Sequence, residues 1–258
     1  MNLIEQLFSL QGKVAVVLGG TSGIGQAIAR GYAQAGATVV ASSREQAKVD
    51  AMAAELEKLG SKTLRKTSDV QDRASLESLA KSAVDSFGRV DILVVTSGVL
   101  QKGPSADVSE TDWSRVIDIN LNGTFRADQV FGRQMIQQKG GCIINTASLT
   151  SFVSFNEVTS YAASKSGVVL LTKSLAAEWA PHNVRVNAIA PGVFRTPLNS
   201  KVLDIPERSA GIMARTPMGR IGKVEELVGA AIFLASEGAS FVTGQILAVD
   251  GGFLAKGI

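Results

Sequence analysis

Val14-Ala15-Val16-Val17-Leu18-Gly19-Gly20-Thr21-Ser22-Gly23-Ile24-Gly25 is the stretch on which the reading of this chain turns. Its first five residues are all apolar, as in a strand buried on both faces, and they pass directly into a glycine-rich turn. An amphipathic segment at 24–35 follows and stops before Gly36, so the local order is strand, turn, helix. In that context a glycine motif has a mechanism. Glycine lets backbone N–H groups approach a pyrophosphate, while the helix N-terminus adds unpaired donors and a positive dipole. Gly19, Gly23 and Gly25 are spaced Gly-x-x-x-Gly-x-Gly rather than Gly-x-Gly-x-x-Gly, which points to a particular branch of dinucleotide binders. Thr21, Ser22 and Ile24 then become further candidate cofactor contacts. A tight turn with a purely structural role is the other reading.

The same alternation continues along the chain. Apolar runs at 38–42, 63–67, 91–96, 142–146, 185–190 and 246–249 alternate with helical stretches at 45–59, 74–87, 110–138, 158–180 and 224–235. The pattern predicts an α/β fold with a doubly wound parallel sheet and helices on both faces. Gly60 reads as a helix C-cap. No repeat, low-complexity tract or linker divides the chain. The segment 191–223, with Pro191, Pro197, Pro206 and Pro217, lacks clear periodicity and reads either as a substrate lid or as a disordered excursion.

Composition narrows the function classes. At 258 residues with 45% hydrophobic and 19% charged residues, the chain suits one globular α/β domain. The net charge is only +3 and no Lys/Arg run occurs, so no nucleic-acid partner is expected. No apolar stretch is long enough to span a bilayer, and the start lacks the pattern of a secretory signal. The single Cys142 excludes an internal disulfide, and one His with one Cys gives no zinc ligand set. The expectation is a cytoplasmic protein with no metal and no membrane partner.

Nucleotide choice is read where the second strand ends. Seven residues past Gly36, where an NAD-selective site would place an acid, stands Ser43, followed by Arg44. An arginine fork matches a 2′-phosphate and serine can donate to it, so NADP(H) is preferred, with NAD(H) possible. Arg44 can instead be a solvated first-turn residue. Asp69, closing the third run, is a candidate for the adenine pocket or simply an N-cap. Further along, Tyr161 and Lys165 lie four apart and share one helix face. There an ammonium can lower the pKa of a phenol, which would otherwise titrate near about 10, and fit it to exchange a proton with a carbonyl or alcohol.

These residues resemble the short-chain dehydrogenase/reductase family over roughly residues 10 to 253. The resemblance rests on the glycine turn, Asp69-Val70, Asn120 in Asp118-Ile119-Asn120-Leu121-Asn122-Gly123, and Ser148, Tyr161 and Lys165. It extends to Asn187-Ala188-Ile189-Ala190-Pro191-Gly192, Thr243-Gly244-Gln245 and Val249-Asp250-Gly251-Gly252. It implies a three-layer Rossmann fold of about seven strands, spanning 1–258 as a single NAD(P)-binding domain with the lid around 191–223. It also implies a catalytic tetrad. Tyr161 is then the acid/base, Ser148 hydrogen-bonds the reacting oxygen, Lys165 lowers the phenol pKa and holds the nicotinamide ribose, and Asn120 supports a water in a proton relay. Hydride passes between nicotinamide and substrate carbon. Pro191, Gly192 and Val193 border the nicotinamide, with Thr196 near its carboxamide or serving as an ordinary loop residue.

The chain departs from the family pattern at Leu18, where Thr is usual, and at Val95-Thr96-Ser97-Gly98, where Asn-Asn-Ala-Gly is usual. Of that second motif, which shapes the cofactor floor, Gly98 survives, and Thr96 and Ser97 can replace some of the lost hydrogen bonds. The tail resembles the gluconate 5-dehydrogenase branch, which implies a sugar acid or polyol substrate. 3-Oxoacyl carrier-protein reductases or a broad carbonyl reductase are the enzymatic alternatives, and a non-catalytic NADP(H)-binding sensor or scaffold is the alternative of another class. From Arg195 to Arg220 five basic residues face two acids, which can attract an anionic substrate or form a solvated face or subunit contact. By analogy with the family, a homotetramer or homodimer is expected through 110–138, 158–180 and the C-terminal segment.

Overall fold

In the computed structural model, residues 2–256 are described, except for the side chains of Lys201 and Val202. A short helix α1 (Leu3–Phe8) opens the chain, closed at its N-terminus by a reciprocal Asn2–Glu5 capping box. Then come β1 (Val14–Leu18), α2 (Gly23–Gln34), β2 (Thr38–Ser42), α3 (Gln46–Lys58), α4 (Arg73–Phe87) and β3 (Ile92–Val95). The second half contains α5 (Glu110–Ile117), α6 (Gly123–Gln137), β4 (Gly141–Thr146), α7 (Thr159–Trp179) and β5 (Val184–Pro191). Two lid-segment helices, α8 (Ser200–Leu203) and α9 (Pro206–Arg215), precede α10 (Val228–Ala235) and β6 (Ile246–Val249).

The strands form one parallel six-stranded sheet in the order β2-β1-β3-β4-β5-β6. Strand residues alternate between its two faces. Ala15, Val17, Ile92, Val94 and Ile144 pack with α2 and α10, whereas Val16, Leu18, Leu93, Val95 and Ile143 pack with α4, α6 and α7. Each such Val, Leu or Ile side chain taken out of water contributes about 1.5–3 kcal/mol. The result is the Rossmann-like three-layer arrangement expected from the alternation. The chain winds outward from β1 to β2 and then returns to place β3 on the other side of β1. That reversal opens a crevice beyond the carboxyl ends of β1 and β3.

One expectation needs correction. The run 63–67 is not a seventh strand. It follows the edge of β2 with backbone bonds only at its margins, Val39 N to Lys62 O at 3.0 Å and Ser68 N to Ser43 O at 3.1 Å. Between them the Ser42 hydroxyl donates to Lys66 O at 2.6 Å, and just ahead of the run Ser61 Oγ also accepts from Val39 N at 3.1 Å, so side chains stand in for the ladder. The stretch 110–138 is helical as expected, with a π turn at Asp118–Asn122 joining α5 to α6. The segment 191–223, read as a lid or a disordered excursion, carries α8 and α9. Gly60 does follow α3 with φ +82°, the left-handed conformation that a helix-ending glycine supplies without strain.

Candidate active site

The glycine turn sits at the crevice, held by close backbone contacts. A Cβ on Gly19 would come within 2.7 Å of Thr96 Oγ1, and one on Gly25 within 2.4 Å of Gly19 O. Ser22 is the N-cap of α2 but makes no capping bond with its side chain, leaving the first-turn amides directed at the cleft. This cleft, about 270 Å³, is lined by Gly19, Thr21, Ser22, Gly23, Ile24 and Gly25 on one wall. Ser43, Arg44, Asp69, Val70, Ser97, Gly98 and Thr196 line the remainder. Thr21 Oγ1 donates to Ser43 Oγ at 2.9 Å. Arg44 is exposed and makes no ion pair or hydrogen bond among the described residues, so its fork is free for an anion. Asp69 accepts from Gln71 N at 2.9 Å, closing the turn ahead of α4. Donors at a helix start, glycines where no Cβ fits and an unpaired guanidinium fit a dinucleotide carrying an extra phosphate.

At the departures from the family pattern, backbone and hydroxyl groups take over. Leu18 O accepts from both Thr96 N at 2.9 Å and Thr96 Oγ1 at 2.8 Å. The threonine thereby ties β3 to β1 at the point where Val95 offers only a methyl-bearing side chain.

Beside the dinucleotide cleft lies a second cleft of about 500 Å³, lined by Ser148, Tyr161, Gly192 and Val193 together with Leu198, Asn199 and residues of α9. Ser148 caps the 3₁₀ turn Leu149–Ser151, its Oγ accepting from Thr150 N at 3.2 Å, which leaves its own proton available. Ser151 Oγ donates to Lys165 O at 2.8 Å, fastening that turn to α7. On α7, Lys165 Nζ lies 5.8 Å from the Tyr161 ring centroid and donates to Thr146 O at 2.7 Å. Asn120, fully buried in the π turn, donates to Val99 O at 3.0 Å and to Ser164 Oγ at 3.1 Å, and accepts from Val99 N at 2.8 Å. Asn120 Oδ1 and Lys165 Nζ lie 3.3 and 3.7 Å from where a Gly98 Cβ would stand, so all three meet at one point. Pro191 ends β5 and is buried, lining neither cleft, whereas Gly192, whose N donates to Val249 O at 2.8 Å, is set at the substrate cleft by the sheet register.

Residues 19–254 match the family model described as Enoyl-(Acyl carrier protein) reductase. A 2-dehydro-3-deoxy-D-gluconate 5-dehydrogenase of Dickeya dadantii is 40% identical over 257 residues, which is 98% of this chain and 100% of that one. A 3-oxoacyl-(acyl-carrier-protein) reductase of Thermotoga maritima is 38% identical over 245 residues, 95% of this chain and 99% of that one. The crystal structure of a gluconate 5-dehydrogenase from Burkholderia cenocepacia, in complex with NADP and tartrate, is 37% identical, with a TM-score of 0.95 over 98% of this chain and 100% of that one. This chain is a short-chain dehydrogenase/reductase. The family binds NAD(P), and this member is an oxidoreductase of the alcohol dehydrogenase/ketoreductase type.

Burial shifts both the Tyr161 phenol and the Lys165 ammonium away from their charged forms. Burial raises that phenol above its ordinary value, and the hydrogen bond with Ser148 draws it back. Burial likewise lowers the Lys165 ammonium to about 8. The hydrogen bond with Ser148 favours the phenolate. On the lid, Arg195 pairs with Asp204 at 2.7 Å and Arg220 with Glu226 at 2.6 Å, while the Lys201 side chain lies outside the described residues. Arg208 and Arg215 line the cleft, joined by Lys102, which sequence reading passed over because its loop carries no motif. Arg208 and Lys102 share Glu157 at 3.4 and 3.2 Å, and Arg215 lies over the Phe253 ring, so Arg215 is the lid guanidinium with no ion pair among the described residues.

The crowding at the turn makes one variant informative. Gly25→Ala is expected to cost about 1–3 kcal/mol, because the added methyl meets a backbone carbonyl that cannot rotate away. Chemical denaturation checks this, and an unchanged midpoint would show that the turn has room to spare.

Proposed function

We propose that this enzyme interconverts a secondary alcohol and its ketone on a small polyhydroxylated acid, with NADP(H) as redox partner and Tyr161 as acid/base. The observation that carries this reading is one cleft that brings Ser148 and Tyr161 together with Arg208 and Arg215, beside another that ends at Arg44. In the reducing direction Tyr161 gives its proton to the substrate oxygen, which the Ser148 hydroxyl also holds. Lys165, fixed by Thr146 O, binds the nicotinamide ribose and stands behind the phenol, and Asn120 links it to a water relay. The bound nicotinamide supplies or accepts the hydride and, when oxidised, adds a positive charge that favours the phenolate. The glycine turn, Ser97 and Gly98 hold the dinucleotide, Ser43 and Arg44 its 2′-phosphate, Asp69 and Val70 the adenine, and Thr196 the carboxamide. Support for NADP comes from the unpaired Arg44 and from the similar Burkholderia enzyme, whose crystal structure contains it.

The segment 191–223 acts as the lid, with α9 bringing Arg208 and Arg215 over the cleft. The carboxylate of a sugar acid would pair with Arg215 and, in exchange for Glu157, with Arg208, while Ser154 and Asn156 offer partners to its hydroxyls. The sugar-acid dehydrogenases among the similar proteins favour a compact sugar acid over a 3-oxoacyl thioester, the activity in the name of the Thermotoga relative. No helix among the described residues is long and apolar enough to cross a membrane, and a cytoplasmic site of action agrees with the lone buried thiol of Cys142. Homo-oligomerisation through α5, α6 and α7 is supported by Trp113, Phe125 and Leu170, which are 41%, 41% and 65% exposed.

Steady-state NADPH absorbance with keto sugar acids, neutral ketoses and an acetoacetyl thioester tests the proposal. The keto sugar acids are expected to have the highest kcat/KM. Equal values for neutral ketoses would remove the anionic preference, a preference for the thioester would favour the acyl reductase, and tight cofactor binding without turnover would favour a sensor. Arg208→Glu or Arg215→Glu is expected to raise KM for the acid about tenfold or more, and for a neutral ketose by much less. A uniform rise would mean that the arginines shape the lid without capturing charge.

A further inference from the structure

A buried polar cluster outside the chemistry described so far joins three elements at the end of β4. Asn145 Nδ2 lies 2.9 Å from Asp128 Oδ2 on α6 and 3.2 Å from Thr172 Oγ1 on α7. Asp128, Asn145 and Thr172 are each 0% exposed. Two oxygens of the cluster, Asp128 Oδ1 and Asn145 Oδ1, have no hydrogen-bond partner. They belong to the same carboxyl and the same carboxamide that share the 2.9 Å bond. An orphaned acceptor in a fully buried site is costly, and an unpaired buried carboxylate is more so. A single proton on Asp128 removes both costs, because its O–H then donates to the amide oxygen while the amide N–H donates to the acid.

Among the described residues no cation pairs with Asp128. The one buried ammonium nearby, Lys165, is committed to Thr146 O. On α6, Arg126 pairs with Asp118 and Arg133 is exposed. On α7, Lys173 and Glu178 are exposed, and on α4 Arg73 pairs with Glu77 and Lys81 with Asp85 at the surface. Val95, the ladder partner of Asn145 on β3, has no polar atom in its side chain to contribute.

We propose that Asp128 is held un-ionised as a carboxylic acid paired to the Asn145 carboxamide. With Thr172, this pair forms a clamp of α6, β4 and α7 that positions Lys165. The link to the lysine is short in both directions. Asn145 adjoins Thr146, whose carbonyl receives Lys165 Nζ, and Thr172 is two turns along α7 from Lys165, on the same face. Burial, which raises the Asp128 carboxyl to about 8, agrees with this geometry. Asp128 is a positioning residue and touches no reacting atom.

Carboxyl ¹³C NMR of aspartate-labelled enzyme tests the first half. One resonance should remain un-ionised at about pH 6, where ordinary carboxylates have titrated, and should be missing from Asp128→Asn. If every aspartate titrates in the ordinary range, the proposal falls. The raised carboxyl also sets a sign for stability. Its contribution is whole below about pH 4 and is lost as pH rises through about 8. The wild-type thermal midpoint should therefore fall over that window relative to Asp128→Asn, and parallel curves would contradict it.

The positioning half is read on lysine-labelled enzyme. Asp128→Ala should move the Lys165 midpoint up from about 8 toward the ordinary lysine value, as the lysine slips toward water. Asp128→Asn, which keeps both hydrogen bonds to Asn145, should leave it in place. Removing an ionised neighbour would push the lysine down instead, and a downward shift or no shift overturns the clamp. If Asp128→Ala does not fold, the aspartate resonance and the Asp128→Asn comparison still decide.

Discussion

Tyr161→Phe is expected to lower turnover by about 10²–10⁴-fold while changing NADPH affinity less than about twofold, within the scatter of a variant that keeps its packing. The ring stays, so the contact surface beside Lys165 is retained, and only the hydroxyl that meets Ser148 is lost. The transferred proton then has no donor at the substrate oxygen, whereas the dinucleotide contacts along the glycine turn are untouched. Rapid mixing of the variant with NADPH and a keto sugar acid, followed at the nicotinamide absorbance, separates chemistry from binding. Retained single-turnover chemistry would mean that another group supplies the proton. A parallel loss of cofactor affinity would mean that the phenol holds the cofactor rather than acting on the substrate.

Arg44→Ala is expected to weaken NADPH by about 10- to 100-fold, the range for losing hydrogen bonds to a charged group, and to leave NADH nearly unchanged. Arg44 is exposed and carries no internal ion pair, so its removal leaves no buried partner stranded and should not alter stability. The effect is therefore a difference between cofactors rather than a general loss. Fluorescence titration of both reduced cofactors measures it. Equal weakening of the two would assign Arg44 to the adenine or ribose and leave the phosphate to other groups.

Much of this site was legible before any coordinates because its residues are dictated by local chemistry. A turn in which a Cβ on Gly25 would lie 2.4 Å from a carbonyl admits only glycine, and such constraints leave a spacing that can be read. Tyr161 and Lys165 are joined by helical periodicity alone. What escaped depends on contacts between distant segments. The run 63–67 has strand-like composition, and only the Ser42 and Ser61 side chains at the sheet edge show why it does not pair as one. The π turn at Asp118–Asn122 adds an extra residue to a helix without any change in residue type. The net lid charge overstated the case, since Arg195 and Arg220 are neutralised by Asp204 and Glu226. Asp128 left a trace that sequence reading did not use: it stands on the buried stripe of α6 with Thr124, Ala127 and Phe131.

The most direct test of the chemistry is a crystal structure of the enzyme with NADP and an unreactive analogue of a keto sugar acid. The expected result is the analogue's carbonyl oxygen within hydrogen-bond distance of both Tyr161 Oη and Ser148 Oγ, with its carboxylate toward Arg208 and Arg215. An oxygen bound away from Tyr161, with the phenol still turned from it in the closed complex, would contradict the assignment.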